Sequence, residues 1–194
     1  MKDMHRTTLV LVALLSLLLT GAAGAKGEGP VVKDLNGETV QPLEAGQEPA
    51  VYVFVLADCP ISNAYSPELE RIRKEFSKRG VRFYLVYTDP DRSRDDILKH
   101  QKDYSLEAFP AIHDRKHEVV KALGAQMTPE SALVDSKGRR VYLGRIDDLY
   151  ADFGKRRAKV GRHDLRDAID AVVSGKAVKP PGGPAFGCYI PPVD

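Results

Sequence analysis

The sequence predicts an α/β fold of three layers, in which helices cover both faces of a mixed central sheet. A strand that is apolar on both faces is followed by an amphipathic helix and a second apolar strand, and this order predicts a parallel β-α-β unit. Further along, two short apolar stretches flank the turn Ser136-Lys137-Gly138, which predicts an antiparallel hairpin. A last amphipathic helix follows the hairpin.

The parallel half of the predicted sheet begins at residue 50. Residues 50–57, with the sequence AVYVFVLA, predict a central strand because the run is apolar and rich in β-branched and aromatic residues. Residues 62–79 carry apolar side chains at helical spacing. Pro67 predicts that the regular helix begins near Ser66, since proline is tolerated only in a first turn. Residues 81–87 complete the unit as a second strand.

Shorter elements are predicted around this unit. Asn36-Gly37 predicts the turn of a small hairpin, and Ser93 is expected to cap a helix that runs to residue 104. The other predicted elements are a strand or extended segment at 109–112, helices at 117–123 and 164–173, and strands at 131–135 and 140–143.

The chain divides into three predicted segments. Residues 1–25 have the pattern of an export signal, because basic residues precede a short apolar run and small residues follow it. We therefore expect a periplasmic or secreted protein, with an uncleaved membrane anchor as the alternative. Residues 26–175 are expected to form one domain. Residues 176–194 form a tail rich in proline and glycine, which is expected to contain no regular element.

The small net charge of the chain argues against a nucleic-acid-binding function. The formal net charge is only +2, and no basic run is interleaved with aromatic residues, so no nucleic-acid partner is expected. The basic cluster Lys155-Arg156-Arg157 is interpreted as a solvated surface. Contact with a membrane is expected only if residues 1–25 stay attached. The pair Asp147-Asp148 is interpreted as orienting a loop near the active site.

The histidines do not predict a metal site. His113 and His117 are four residues apart, a spacing that can place two ligands on one helical face. No acidic pattern completes a site around them. We therefore predict surface positions for this pair and for His100 and His163.

Two cysteines are the candidates for chemistry. Cys59 lies where the central strand ends and a helix begins, beside Pro60. The free N–H groups and the dipole of a helix N-terminus favour a thiolate, the form that attacks disulfides and peroxides. Cys188 lies in the tail, and an oxidising compartment permits a disulfide between the two. The alternatives are a small buried hydrophobic residue for Cys59, and an unpaired or intermolecular cysteine for Cys188.

Three stretches carry a resemblance to a known superfamily: CPISN at 59–63, MTPE at 127–130 and YLGRIDD at 142–148. Together with the order of elements, they resemble the thioredoxin-like superfamily, and within it the redoxin branch that includes alkyl hydroperoxide reductase/thiol-specific antioxidant relatives. The likeness spans residues 30–175 and implies a thioredoxin-like three-layer α/β/α fold. It also implies that Pro129 is cis beside the reactive cysteine, and that the backbone of Thr128 pairs with an extended substrate.

The chain departs from the patterns of this superfamily at two positions. Ser62 stands where a dithiol thioredoxin has its second cysteine, so the local exchange cycle is broken and another thiol is needed. Leu56 stands where peroxiredoxins usually carry a threonine or serine that positions the peroxide. The cysteine pair of copper-chaperone relatives is also absent. Our hypothesis is that Cys188 supplies the missing thiol.

The resemblance implies a thiol-disulfide oxidoreductase of redoxin type. Cys59 and Cys188 are the expected catalytic residues, and the residues expected to bind substrate are Pro60, Ser62, Thr128 and Pro129. No cofactor is expected; the partner is a thiol or disulfide protein, a small thiol or a peroxide. The open alternatives are a thiol peroxidase that uses Cys59, and a non-enzymatic thioredoxin-fold module that binds a partner or handles copper.

Overall fold

The structure, a computed structural model, describes residues 29–181 and 183–193. The predicted export signal at 1–25 lies outside the described residues. Within the described part of the chain, no helix is both long enough and apolar enough to cross a membrane.

The elements follow one another in an alternating order of strands and helices. In chain order the strands are β1 (Val32–Lys33), β2 (Thr39–Val40), β3 (Ala50–Val55), β4 (Arg82–Tyr87), β5 (Ala111–His113), β6 (Met127–Thr128), β7 (Glu130–Val134), β8 (Arg140–Gly144), β9 (Tyr150–Asp152), β10 (Lys155–Arg156) and β11 (Cys188–Tyr189). The helices are α1 (Pro60–Ala64), α2 (Ser66–Phe76) with a 3₁₀ turn at Ser77–Arg79, α3 (Arg94–Asp103), α4 (Glu118–Leu123) and α5 (Asp164–Val173).

Five strands form the central mixed sheet, in the order β5-β4-β3-β7-β8. β4 runs parallel to β3 and to β5, whereas β7 runs antiparallel to β3 and to β8. This topology confirms the predicted parallel half and hairpin. Phe54 near the end of β3 pairs with Glu130 at the start of β7. The residues after β3 and those before β7 therefore meet at one edge of the sheet, and this register positions the candidate site.

Helices cover both faces of the sheet, as predicted. All six residues of β3 are buried, and alternate side chains point to opposite faces. Val51, Val53 and Val55 belong to the larger hydrophobic cluster, to which α2, α3 and α5 contribute. Tyr52 and Phe54 belong to the cluster that contains α4. Each large side chain buried in this way stabilises the fold by roughly 1.5–3 kcal/mol.

Most of the smaller elements also follow the prediction. β1 and β2 pair as an antiparallel hairpin, with Gly37 in the left-handed region (φ 86°). The Ser93 hydroxyl caps α3 by accepting a hydrogen bond from the Asp96 N–H (3.1 Å). The sequence did not predict the exposed hairpin of β9 and β10, which contains part of the basic cluster.

The tail departs from the prediction that it contains no regular element. Its residues Cys188 and Tyr189 form β11, which pairs antiparallel with β6. Pro181 packs on Gly144, where a Cβ would lie 2.8 Å from the proline ring. The proline-rich composition rules out a long element, but it leaves enough backbone N–H groups for a two-residue strand.

Candidate functional site

Cys59 lies at the junction of β3 and α1. It is the N-cap of α1, with extended backbone angles (φ −78°, ψ 112°), and its carbonyl oxygen accepts the first helical hydrogen bond from the Asn63 N–H (3.0 Å). Pro60 takes the first helical position, where the N–H that proline lacks would have no helical partner. The helix therefore begins at Pro60, two residues earlier than predicted.

The predicted start of the regular helix near Ser66 is confirmed, because α2 begins at that residue. Proline has no N–H to donate to the Asn63 carbonyl, and α1 ends at Ala64. Tyr65 keeps right-handed helical angles and donates its N–H to the Ser62 carbonyl oxygen (3.1 Å) in a tighter turn. The chain then continues as α2, so the cysteine is attached to a helix that is anchored in the core.

Thr128 and Pro129 lie beside Cys59, as the resemblance implies. The peptide bond between them is cis, which confirms that prediction. The Cys59 thiol donates to the Thr128 carbonyl oxygen at 3.4 Å. Cys59 is 1% exposed, so its sulfur lies beneath the surface at this point.

Cys188 is brought to the same place by the tail. We call residues 184–190 the strap. Within the strap, β11 pairs with β6 so that Cys188 lies opposite Thr128, and the Thr128 hydroxyl donates to the Cys188 carbonyl oxygen (3.3 Å). The side chains of Cys59 and Cys188 are close enough that each shifts the pKa of the other. Both are free thiols in this structure.

The two thiols differ in acidity. Burial raises the pKa of Cys59, but hydrogen bonds from Cys188 and Ser62 outweigh burial, and its pKa lies below the ordinary value. Burial raises the pKa of Cys188, and the hydrogen bond to Cys59 and the charge on Cys59 raise it further, to about 12. Cys59 is therefore the first of the two thiols to ionise as the pH rises.

Ser62 has a definite place in this pair. Its hydroxyl is buried and has no hydrogen-bond partner among the described residues. Because this hydroxyl can donate to a thiolate at Cys59, it lowers the pKa of Cys59. An otherwise unpaired buried hydroxyl is costly, and a thiolate at Cys59 gives it a strong acceptor.

A chain of hydrogen bonds that the sequence did not reveal supports the cysteine loop. The Asn63 amide donates to the Ala57 carbonyl oxygen (2.9 Å), and its own oxygen faces Nε2 of His100 (2.8 Å). Nδ1 of His100 meets the Tyr87 hydroxyl at 2.8 Å. The Asn63 oxygen can only accept, so Nε2 carries a proton, and in the neutral ring Nδ1 accepts from the Tyr87 hydroxyl. Burial agrees with this assignment, because it lowers the pKa of His100.

The predicted surface positions are wrong for two histidines. His100 is 7% exposed and His117 is 5% exposed. His100 lies three residues after Ile97, on the same face of α3, and that spacing is a signal of burial. Nε2 of His117 meets the Thr88 carbonyl oxygen (2.8 Å). Each ring is therefore buried with polar partners.

Asp147 lines a small pocket beside the strap. Its carboxylate accepts hydrogen bonds from the Tyr65 hydroxyl (2.6 Å) and the Leu149 N–H (2.8 Å). Burial raises the pKa of this carboxyl group. Tyr65 and Pro129 line the same pocket, to which the strap contributes Phe186. The predicted loop-orienting role of Asp147 agrees with these contacts.

No metal centre is evident in the described ranges. Among residues 29–181 and 183–193, no group of three or more histidine, cysteine, aspartate or glutamate side chains is arranged to hold a metal ion.

Comparison with known proteins gives one family and several relatives. The family model described as Redoxin matches residues 23–151. The thiol-disulfide oxidoreductase ResA of Halalkalibacterium halodurans is 24% identical over 135 residues, which are 68% of this chain and 74% of that protein. A protein described as probable nucleoredoxin 1 of Arabidopsis thaliana is 23% identical over 145 residues, 73% of this chain; the match spans only 23% of that longer protein.

A solved structure agrees with the fold. The crystal structure of a hypothetical protein from Sinorhizobium meliloti 1021 superposes with a TM-score of 0.70 at 26% identity. The match covers 83% of this chain and 89% of that one. The α/β fold with a mixed sheet is therefore shared along most of both chains.

Proposed function

The chain belongs to the redoxin family, and on that premise we propose that it is an exported thiol-disulfide oxidoreductase with Cys59 as nucleophile and Cys188 as second thiol. The name of the relative from Halalkalibacterium halodurans supports this reaction class. Export is supported by the signal pattern of residues 1–25, and it places the chain in the periplasm or outside the cell, where disulfides persist.

One observation carries the proposal: the strap places Cys188 against Cys59. In a dithiol thioredoxin the second thiol lies one helical turn away, but here Ser62 occupies that position. The second thiol comes instead from the pairing of β11 with β6. A disulfide between positions 59 and 188 would close a long loop, which stabilises a fold by about 4–5 kcal/mol in the chain-entropy account.

The reaction proceeds in two exchanges. The Cys59 thiolate attacks one sulfur of a substrate disulfide, forms a mixed disulfide, and releases the other substrate sulfur as a thiolate. Cys188 then loses its proton and attacks Cys59 Sγ, which releases the second substrate thiol. The substrate disulfide is reduced by two electrons, and Cys59 and Cys188 become a disulfide. The same steps in reverse oxidise a dithiol partner.

The neighbouring residues have supporting roles in this proposal. Pro60 starts the helix behind the sulfur, and Ser62 donates to the thiolate. Thr128 and Pro129 provide the backbone edge along which an extended substrate lies, in the place that the strap occupies in this structure. The expected partner is a protein or small molecule with a thiol or disulfide, and no cofactor is required.

Mass spectrometry and exchange assays on the full chain, purified from an expression host, test the proposal. The oxidised protein is expected to be lighter than the reduced protein by two hydrogens and to resist alkylation, and its mass should correspond to a chain that begins near Lys26. The reduced protein is expected to reduce insulin or glutathione disulfide.

Two matched variants locate the chemistry. Cys59→Ser is expected to abolish exchange. Cys188→Ser is expected to stop at a mixed disulfide between Cys59 and the substrate. Two alkylatable thiols under every oxidising condition, or full exchange activity in Cys59→Ser, would contradict the proposal. Rapid consumption of peroxide without disulfide exchange would indicate a peroxidase, and stoichiometric copper binding lost in Cys59→Ser would indicate the metal-handling alternative.

A further inference from the structure

The strap covers the reactive sulfur. Cys59 is 1% exposed, and Cys188 lies against it at the pairing of β11 with β6. The strap continues past Cys188, where the Ile190 N–H donates to the Gln126 carbonyl oxygen (3.2 Å). A molecule that approaches this site therefore meets the strap before it meets Cys59.

The close contact between the strap and Thr128 requires a glycine at position 187. A Cβ on Gly187 would lie 1.9 Å from the Thr128 carbonyl oxygen, far inside van der Waals contact, so no larger residue allows this approach. The preceding residue, Phe186, lines the pocket that contains Tyr65 and Pro129. The position of Cys188 against Cys59 is thus specified by its immediate neighbours in the strap.

A disulfide between the two cysteines would tie the strap over Cys59. A thiolate attacks a disulfide along the line of the S–S bond, from the side opposite the sulfur that leaves. For Cys59 Sγ, that approach leads through the buried junction of β3 and α1. For Cys188 Sγ, it comes from outside the strap, and Cys188 is partly exposed whereas Cys59 is buried. Access therefore favours attack on Cys188.

The leaving group favours the same site. In thiol-disulfide exchange, the sulfur with the lower pKa leaves faster. When Cys59 leaves, Ser62 can still donate to it and lower its pKa, whereas burial raises the pKa of Cys188 when Cys188 leaves. Release of Cys59 also gives the buried Ser62 hydroxyl its acceptor.

We propose that the thiol which re-reduces the oxidised chain attacks Cys188 Sγ, and that Cys59 is the thiolate released by that attack. The inference rests on the proposed function, because it requires the disulfide between Cys59 and Cys188. Cys59 is then the nucleophile in the reduced chain, and the leaving group in the chain that contains the disulfide. The substrate disulfide therefore reacts with Cys59, and the donor thiol reacts with Cys188.

The step balances with a thiol donor. The donor thiolate bonds to Cys188 Sγ as the bond between the two protein sulfurs breaks, and the electron pair of that bond stays on Cys59. A second donor thiolate attacks the sulfur of the first donor molecule. Cys188 leaves as a thiolate and takes a proton from water. The chain gains two electrons, and the donor becomes a disulfide.

Trapping the mixed disulfide tests the inference. The oxidised wild-type chain is mixed with glutathione, quenched with N-ethylmaleimide at successive short times, digested and mapped by mass spectrometry. We expect glutathione on Cys188 and N-ethylmaleimide on Cys59, in about tenfold or greater excess over the reverse arrangement when extrapolated to zero time. Equal amounts, or glutathione mainly on Cys59, would overturn the inference.

The intact mass before mixing separates this outcome from failure of the proposed function. If the oxidised chain contains no internal disulfide, the pairing of the two cysteines is wrong and the inference falls with it. If the disulfide is present and glutathione attacks Cys59, only the assigned site of attack is wrong. Gly187→Ala adds a second test, because its strap cannot make the close contact with Thr128: we expect the preference for Cys188 to shrink, and an unchanged preference would show that this contact does not direct the attack.

Discussion

The two cysteines lie in regions of very different construction. Cys59 follows β3, a strand with every residue buried, and its loop is fixed to α3 through Asn63 and His100. Cys188 lies in a strand of two residues at the surface, beside the exposed Tyr189. One sulfur is thus held by the core of the domain, and the other is held by a short backbone pairing and one close glycine contact.

This difference separates two requirements of thiol exchange. The nucleophile needs a fixed environment, since its pKa depends on hydrogen bonds to particular groups such as Ser62. The second thiol must reach the nucleophile and also make room for a substrate. The start of a helix gives Cys59 its fixed environment. The strap pairs through few backbone hydrogen bonds, so it can hold Cys188 near Cys59 and also move away for a substrate.

Unseating the strap is expected to give the largest effect. In Gly187→Ala the new methyl group would meet the Thr128 carbonyl oxygen, so the strap should lift and expose Cys59. We expect the reduced variant to be alkylated at Cys59 at least about tenfold faster than wild type, because the thiolate gains access. Iodoacetamide labelling followed by peptide mapping measures the rate at each cysteine.

Gly183→Ala is the matched control for this variant. A Cβ at Gly183 would meet the end of the Arg145 side chain at 2.8 Å, and a flexible guanidinium can move aside. We expect its Cys59 rate to stay near that of wild type. Equal rates in Gly187→Ala and wild type would mean that the strap does not limit access to Cys59.

The regular elements of the domain could be predicted because their patterns are long. The apolar run at 50–57 and the helical spacing at 164–173 report burial at several successive positions. The junction at Cys59 followed from these neighbours, and the resemblance placed Thr128 and Pro129 beside it. The prediction of α5 at 164–173 agrees with the structure at both ends.

The strap and the histidine network could not be predicted in the same way. Two residues of β11 have no periodicity, and the need for Gly187 arises from a carbonyl oxygen 59 positions earlier in the chain. His100 is buried through partners on α1 and β4, which no local pattern reveals. Long-range contacts between short segments are therefore the part of the site that needed the structure.

Removing the Ser62 hydroxyl is expected to give an intermediate effect. Ser62→Ala deletes a donor to the Cys59 thiolate, so the pKa of Cys59 should rise toward the ordinary value. A hydrogen bond to a charged group contributes about 1.5 kcal/mol or more, so the thiolate fraction and the alkylation rate near pH 7 should fall about tenfold. The rate of Cys59 alkylation against pH gives the shift directly.

Ser66→Ala is a matched control one helical turn away. Its hydroxyl is also buried without a hydrogen-bond partner among the described residues, but it does not contribute to the pKa of Cys59. We expect an unshifted profile for this variant. Identical profiles for Ser62→Ala and wild type would show that Ser62 does not stabilise the thiolate.

The smallest expected effect comes from the support behind the Cys59 loop. Burial lowers the pKa of His100, with a smaller upward effect from Asp103 and a downward effect from Arg92. The unfolded imidazole has a pKa of about 6.5, so below that pH the unfolded chain binds a proton that the folded chain does not. The contribution of His100 is therefore complete above about pH 6.5 and is lost as the pH falls toward its folded pKa.

Two variants separate this titration from the hydrogen bonds themselves. His100→Gln cannot titrate, so its free energy of unfolding by urea should fall less than that of wild type between pH 7 and pH 5. Tyr87→Phe removes one hydrogen bond, at a cost of about 1 kcal/mol, and should keep the wild-type slope because His100 remains. Parallel curves for His100→Gln and wild type would show that His100 is not held neutral. The cysteine loop would then lack the uncharged anchor that distinguishes it from the strap.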